Sequence, residues 1–170
     1  MVDSSIRRAG PDDAQTLAEL GRDTFVATFA HLYPPEDLMA YIAETYTQDV
    51  FRAALEDPAH GLWIAQAGDQ AIAYIHAGPC SLPHPDVTPG CGEVKRLYVR
   101  REHQSGGHGA ALFTTALDWL VRPGRRLWIG VWSQNHGAQR FYGRFGFEKI
   151  GEYIFPVGNT RDHEFILRRG

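Results

Sequence analysis

The segment from Glu93 to Ala110, EVKRLYVRREHQSGGHGA, joins a strand pattern directly to a glycine-rich helix start, and it constrains this chain more than any other stretch. Leu97 and Val99 alternate with Tyr98 and Arg100 in strand fashion, and Gln104 to Gly109 then reads Q-x-x-G-x-G ahead of the helical run AALFTTALDWL. The first amides of a helix have no internal partners and point outward with the positive end of the helix dipole. Where small residues let the backbone come close, several N–H groups can converge on phosphate oxygens. A pyrophosphate fits such a nest. Two other glycine motifs are excluded by the residues themselves. The dinucleotide fingerprint needs a third glycine where Leu112 stands, and the phosphate loop of nucleotide hydrolases needs Lys and Ser or Thr where Ala110 and Ala111 stand. On glycine count alone, a flexible turn ahead of a helix stays open.

The rest of the chain predicts one domain spanning residues 1–170, with 44% apolar and 12% aromatic residues to fill a core. A formal net charge of -3 with scattered acidic and basic residues argues against a nucleic-acid partner, which needs a basic face or stripe. Met1 to Gly10 is short and polar, unlike a signal peptide, and no apolar run approaches membrane-spanning length. A soluble, cytoplasmic protein without membrane contact is expected. Cys80 and Cys91 lie in a Pro- and Gly-rich loop without C-x-x-C spacing and read as free thiols. The eight His residues are dispersed singly, so no metal is expected.

SSIRRAG reads as a short first strand, and Gly10-Pro11-Asp12-Asp13 as a helix start, with Asp12 as cap and Gln15 reaching back. Gly21 and the Thr residues predict an irregular second half for that helix. Pro34-Pro35 opens a second helix, with Leu38, Ile42 and Tyr46 at helical spacing and a continuation through VFRAALE to Asp57-Pro58. GLWIAQA and AIAYIHAG form a hairpin around Gly68-Asp69-Gln70. EVKRLYV, a helix from about Gly107 to Leu120, and RRLWIGVW then give strand, helix, strand, which a crossover between parallel strands explains. The short helix NHGAQRFYGRF precedes a closing antiparallel pair, FEKIGEYIF and HEFILRR. At about 100 degrees per residue, Asn135 and Tyr142 return to nearly one face of that helix, while Phe141 and Phe145 share another.

The run LYV followed after four residues by Gln104-x-x-Gly107-x-Gly109 resembles the acyl-coenzyme A loop of the GNAT superfamily of N-acetyltransferases. SQNHGAQRFYGRFGF resembles that family's downstream segment of an Asn, an Ala and a Tyr closed by Gly-Phe, and TFVATFAHLYPPEDLMAY is similar, more loosely, to the polyamine-acetylating branch. The resemblance implies an α/β fold, a mixed and mostly antiparallel sheet of six to seven strands flanked by about four helices. It implies acetyl-CoA as cosubstrate, held by Leu97, Tyr98, Val99, Gln104, Ser105, Gly106, Gly107, His108, Gly109, Ala110, Asn135 and Tyr142. Gln104 stands where many relatives carry Arg, which leaves most of the phosphate holding to the amides from Ser105 to Ala110. For His108, an outward loop position is the simpler alternative. Dimerisation is common in the superfamily, so a homodimer stays open.

Acyl transfer to an amine makes definite demands. An alkylamine with a pKa near ~10.4 is almost wholly protonated at neutral pH, and only its free base attacks. The departing thiolate and the transient oxyanion both need stabilisation. By resemblance Tyr142 is the general acid, and a backbone amide near Val99 polarises the thioester carbonyl. Glu93 leads the candidates for general base, with a solvated strand-end carboxylate as the alternative and Tyr98, Glu36 and Glu44 behind it. The expected acceptor is a small-molecule or peptide primary amine; the other possibility is a non-catalytic acyl-CoA-binding sensor.

Overall fold

The computed structural model describes residues 4–170; the first three residues of the polar segment Met1 to Gly10 lie outside the described residues. Among the described residues seven strands form one sheet: β1 (Ser4–Arg8), β2 (Gly61–Ala67), β3 (Gln70–Pro79), β4 (Gly92–Val99), β5 (Leu127–Trp132), β6 (Glu148–Val157) and β7 (Thr160–Arg169). Their order is β1-β2-β3-β4-β5-β7-β6, and every neighbouring pair is antiparallel except β4 with β5. Five α-helices accompany them among the described residues, against the expected four or so: α1 (Ala14–Phe29), α2 (Pro35–Thr45), α3 (Gln48–Glu56), α4 (His108–Leu120) and α5 (His136–Arg144). The extra one arises because the run after Tyr46 restarts as a separate helix, with the Thr47 side chain capping the Val50 N–H at 3.1 Å.

The expected hairpin of β2 and β3 is present, turned at Gly68 with φ of 60°. The expected closing pair is present too, but its last strand, β7, lies against β5 and leaves β6 at the sheet edge. Asp37 of α2 fastens the tip of this pair by accepting the Asn159 N–H at 2.9 Å and the Thr160 hydroxyl at 2.6 Å.

The start of α1 differs from the expected box. Pro11 opens a short 3-10 turn, Pro11–Asp13, and it is Asp13 that accepts the Gly10 N–H at 2.9 Å. Arg7 on β1 holds the same carboxylate through two contacts of 2.7 and 2.8 Å, which selects Asp13 over Asp12, and Gln15 turns to Glu19 instead. Nor is the second half of α1 irregular. Gly21 lets the Tyr46 ring lie directly on the helix, where a Cβ would stand 2.6 Å from a ring carbon. That close packing retains the helix despite glycine's entropic disadvantage.

Alternation along the strands sends side chains to the two faces of the sheet. Leu112, Phe113, Ala116, Leu117 and Leu120 of α4 pack on Ile75, Val94, Ile129, Val131 and Leu167. On the opposite face Leu17, Leu20 and Phe25 of α1 and Phe51 of α3 pack on Leu62, Ile64 and Tyr74. Cys80 and Cys91 are both free, and their backbones meet through Cys80 N–H to Cys91 O at 3.0 Å.

Fully buried Phe113 links the sheet to α5, with ring centroids 5.3, 5.4 and 4.7 Å from Phe141, Tyr142 and Phe145. Phe113→Ala should cost about 3–5 kcal/mol in stability through lost burial and an unfilled cavity. Urea unfolding measures it directly, and a loss under about 1 kcal/mol would contradict this packing.

Candidate active site

β4 and β5 run side by side only briefly. Gly92 pairs with Leu127 and Glu93 with Trp128, and beyond those two pairs the parallel ladder stops. On its other edge β4 stays bonded to β3, where Arg100 donates its N–H to Ile72 O at 2.8 Å. Backbone bonds alternate sides along an antiparallel strand, so Arg100 and Tyr98 bond toward β3 while Leu97 and Val99 direct theirs into the gap. Gln104 closes half of that edge by donating its side-chain N–H to Val99 O at 3.2 Å. The Val99 N–H is left facing the opening. Phe29, at the end of α1, meets Tyr98 of β4 and Trp132 of β5 edge-on, at 6.4 and 6.0 Å between centroids, and so stands against both diverging strands.

The glycine loop lies at the carboxyl end of β4. Ser105 and Gly107 both have left-handed backbones, with φ of 71° and 82°, a conformation rarely adopted by a residue with a side chain such as Ser105. Gly107 is the N-cap of α4, and the first helical bond is Ala111 N–H to Gly107 O at 3.1 Å. The amides of His108, Gly109 and Ala110 consequently have no partner within the helix. They present an edge of open backbone donors, the arrangement that suits an anion.

A cavity of about 1030 Å³ occupies the gap and passes between the two faces of the sheet. Of the residues expected at the site, Glu93, Leu97, Tyr98, Val99, Gln104, Ser105, Gly109, Asn135 and Tyr142 line it. Gly106, Gly107, His108 and Ala110 do not; they shape the loop around it, with His108 turned to Ser4 at 3.4 Å. Glu36 and Glu44 are exposed on α2 and do not line the cavity. Asn135 and Tyr142 meet at the cavity from the first and last turns of α5, where the Asn135 side chain caps the helix by accepting the Ala138 N–H at 3.1 Å. The Tyr142 hydroxyl has no hydrogen-bond partner among the described residues, and burial pushes its pKa up to about 12.

Across the sheet from α4 the cavity has a different lining that the sequence had not marked: Tyr33, Tyr41, Arg96, Tyr153, Asp162 and Glu164. Tyr33 donates to Asp162, and Tyr153 donates to Glu164 at 2.7 Å. The only signal for the two acids was their alternation in RDHEF, which places them on one strand face without saying what that face meets. Glu93 is buried and fully engaged at one oxygen: Oε2 accepts the Ser81 N–H at 3.0 Å and the Lys95 ammonium at 3.0 Å.

Comparison with known proteins decides what this arrangement is. The profile of the acetyltransferase (GNAT) family matches residues 23–147. The chain belongs to the acetyltransferase (GNAT) family. It is 26% identical over 174 residues to an uncharacterized N-acetyltransferase of Lactobacillus delbrueckii subsp. lactis, covering 99% of this chain and 98% of the relative. An uncharacterized N-acetyltransferase of Mycobacterium tuberculosis is 27% identical over 161 residues, covering 92% and 97%. Among solved structures, the PaiA N-acetyltransferase of Thermoplasma acidophilum in complex with coenzyme A superposes with a TM-score of 0.77 at 21% identity, covering 98% of both chains. The ribosomal-protein-S18-alanine N-acetyltransferase of Escherichia coli superposes with a TM-score of 0.66 at 17% identity, covering 98% of this chain and 93% of the other. The α/β fold of the GNAT family, with its mixed seven-stranded sheet, is thus established, and the chain is an acetyl-CoA-dependent N-acetyltransferase. No helix among the described residues is long and apolar enough to cross a membrane.

The Glu93–Lys95 pair at this GNAT site, buried at the carboxylate and partly exposed at the ammonium, makes a stability prediction. Lys95→Met removes the cation and leaves the carboxylate with the Ser81 donors alone, which should cost about 1–3 kcal/mol. Thermal or urea unfolding checks this; an unchanged midpoint would show that the pair contributes nothing.

Proposed function

We propose that the protein moves an acetyl group from acetyl-CoA to a primary amine by direct attack in a ternary complex. The observation that carries this reading is the gap between β4 and β5, which the Val99 N–H enters from one side and the Tyr142 hydroxyl from α5. The donor set suits the cosubstrate. Open amides of His108, Gly109 and Ala110 match pyrophosphate oxygens, the Val99 N–H matches a thioester carbonyl, and Asn135 and Ala138 border the path between them.

Roles follow from chemistry at each atom. The Val99 amide polarises the carbonyl and steadies the oxyanion as the amine nitrogen attacks. Tyr142, its proton held firmly by burial, gives that proton to the departing sulfur. A carboxylate on the opposite face relieves the incoming ammonium of its proton; Glu93, Asp162 and Glu164 line the cavity there. The acceptor enters from the face that carries Tyr33, Tyr41 and Tyr153 and is a small-molecule or peptide amine. A sensor that binds without turnover has no use for an unpartnered acid hydroxyl in the gap.

Thiol release from acetyl-CoA against a panel of alkylamines, amino acids and peptides is expected to identify an acceptor. Tyr142→Phe should lower kcat about a hundredfold or more with coenzyme A affinity retained. Because the phenol holds its proton to about 12, kcat of the wild type should show no descending limb up to about pH 10.5. A limb centred near the ordinary tyrosine value, or a Tyr142→Phe enzyme of undiminished kcat, would remove Tyr142 from the acid role.

A further inference from the structure

We infer that Glu164 of β7, and not Glu93, is the carboxylate that takes the proton from the acceptor's ammonium; this rests on the acetyltransferase reading above. The two acids differ in what already surrounds them. Glu93 Oε2 accepts the Ser81 N–H at 3.0 Å, the Ser81 hydroxyl at 3.4 Å and the Lys95 ammonium at 3.0 Å. Lys95 beside it opposes the approach of a second ammonium, and the acceptor sites of that oxygen are already taken. Glu164 has one donor among the described residues, the Tyr153 hydroxyl at 2.7 Å on Oε2, and no cationic side chain within 4.0 Å. Its other oxygen is free.

Gly130 gives Glu164 its place. β5 turns Ile129 and Val131 toward α4, so position 130 faces the acceptor side, at the edge of the gap beyond the last β4–β5 pair. A Cβ there would stand 2.8 Å from the Tyr153 hydroxyl and 3.5 Å from Glu164 Oε2. The missing side chain therefore lets both groups lie across β5 beside the opening. An ammonium in the cavity also meets the Asp162 charge, two residues away on the same face of β7.

The charged and titratable groups that line the cavity with Glu164 are Tyr153 from β6, Asp162 on β7, Tyr33 ahead of α2, Tyr41 of α2, Glu93, Lys95, Arg96 and Tyr98 from β4, and Tyr142 and Arg144 from α5. Burial raises its pKa, the Tyr153 hydrogen bond works against this, and the Asp162 charge adds to the rise. A carboxylate moved upward from its usual range is the better base near neutral pH. The proton count closes as follows. The ammonium passes one proton to Glu164, and the free amine forms the C–N bond. The C–S bond breaks as Tyr142 protonates sulfur, and Tyr142 recovers a proton from the nitrogen of the new amide. Glu164 returns its proton to water, so the net products are amide, thiol and one proton.

The test is the pH dependence of kcat/KM for whichever amine of the panel is turned over, in wild type, Glu164→Gln, Glu164→Asp, Glu93→Gln and Tyr153→Phe, with coenzyme A binding measured in each. Wild type should show an acid limb centred above the usual carboxylate range. Glu164→Gln should lose that limb and about a hundredfold or more in kcat. Glu164→Asp should restore the limb in part, and Tyr153→Phe should move it to higher pH, because the hydrogen bond that favours the charged form is gone. Glu93→Gln should keep it. Loss of the limb in Glu93→Gln with its retention in Glu164→Gln would overturn the assignment. Absence of turnover with every amine would overturn the acetyltransferase reading and this assignment with it.

Discussion

The site depends on one failure of pairing. Two parallel strands that begin with ordinary backbone hydrogen bonds at Gly92 and Glu93 separate immediately afterwards, so one edge of β4 faces a cavity in the middle of the sheet. An unpaired amide inside a protein is costly, because its lost hydration has to be replaced. Here the exposed carbonyl is met by Gln104 and the N–H is left for a ligand. The divergence is held from both faces. Phe113 and the aromatic side of α5 fill one, and Phe29 with Tyr98 and Trp132 braces the other.

From this opening the chemistry separates by face. On the α4 side stand backbone donors and one phenol, suited to an anionic cosubstrate and a sulfur leaving group. On the α1 side stand tyrosines and carboxylates, suited to receiving a cationic amine and removing its proton. A reaction between a thioester and an amine needs these two environments within reach of one carbonyl carbon but not mixed, since a carboxylate beside the thiolate would oppose its departure. A sheet with a gap meets that requirement simply. In the proposed reaction each face serves one reactant, and the strand edge serves as the oxyanion donor.

The elements around the glycine loop were legible because their signals are local. Small residues from Ser105 to Ala110, the apolar run of α4 and the Asn135-to-Tyr142 spacing each lie within a few turns of chain, and each fixes its own conformation. The acceptor side was not legible for the opposite reason. The Tyr33–Asp162 hydrogen bond joins residues 129 apart in sequence, and Glu164 reaches the opening only because β7 lies between β5 and β6 and Gly130 leaves room for it. No periodicity announces such a meeting. Two local readings also gave way to tertiary contacts. Arg7 drew Asp13 in place of Asp12, and Tyr46 packing kept α1 regular through Gly21. Glu93 was found at the cavity as expected, while its capture by Lys95 and Ser81 depends on a loop that carried no motif.

The central claim is that the unpaired Val99 amide in the β4–β5 gap is where the thioester carbonyl lies. A crystal structure of the protein with a non-hydrolysable acetyl-CoA analogue tests it most directly. The account predicts the analogue's carbonyl oxygen about 3 Å from Val99 N, its sulfur position within reach of the Tyr142 hydroxyl, and its pyrophosphate across the amides of His108 to Ala110. An analogue bound with its carbonyl outside the gap, or with the Val99 N–H bonded to another protein group, would contradict it.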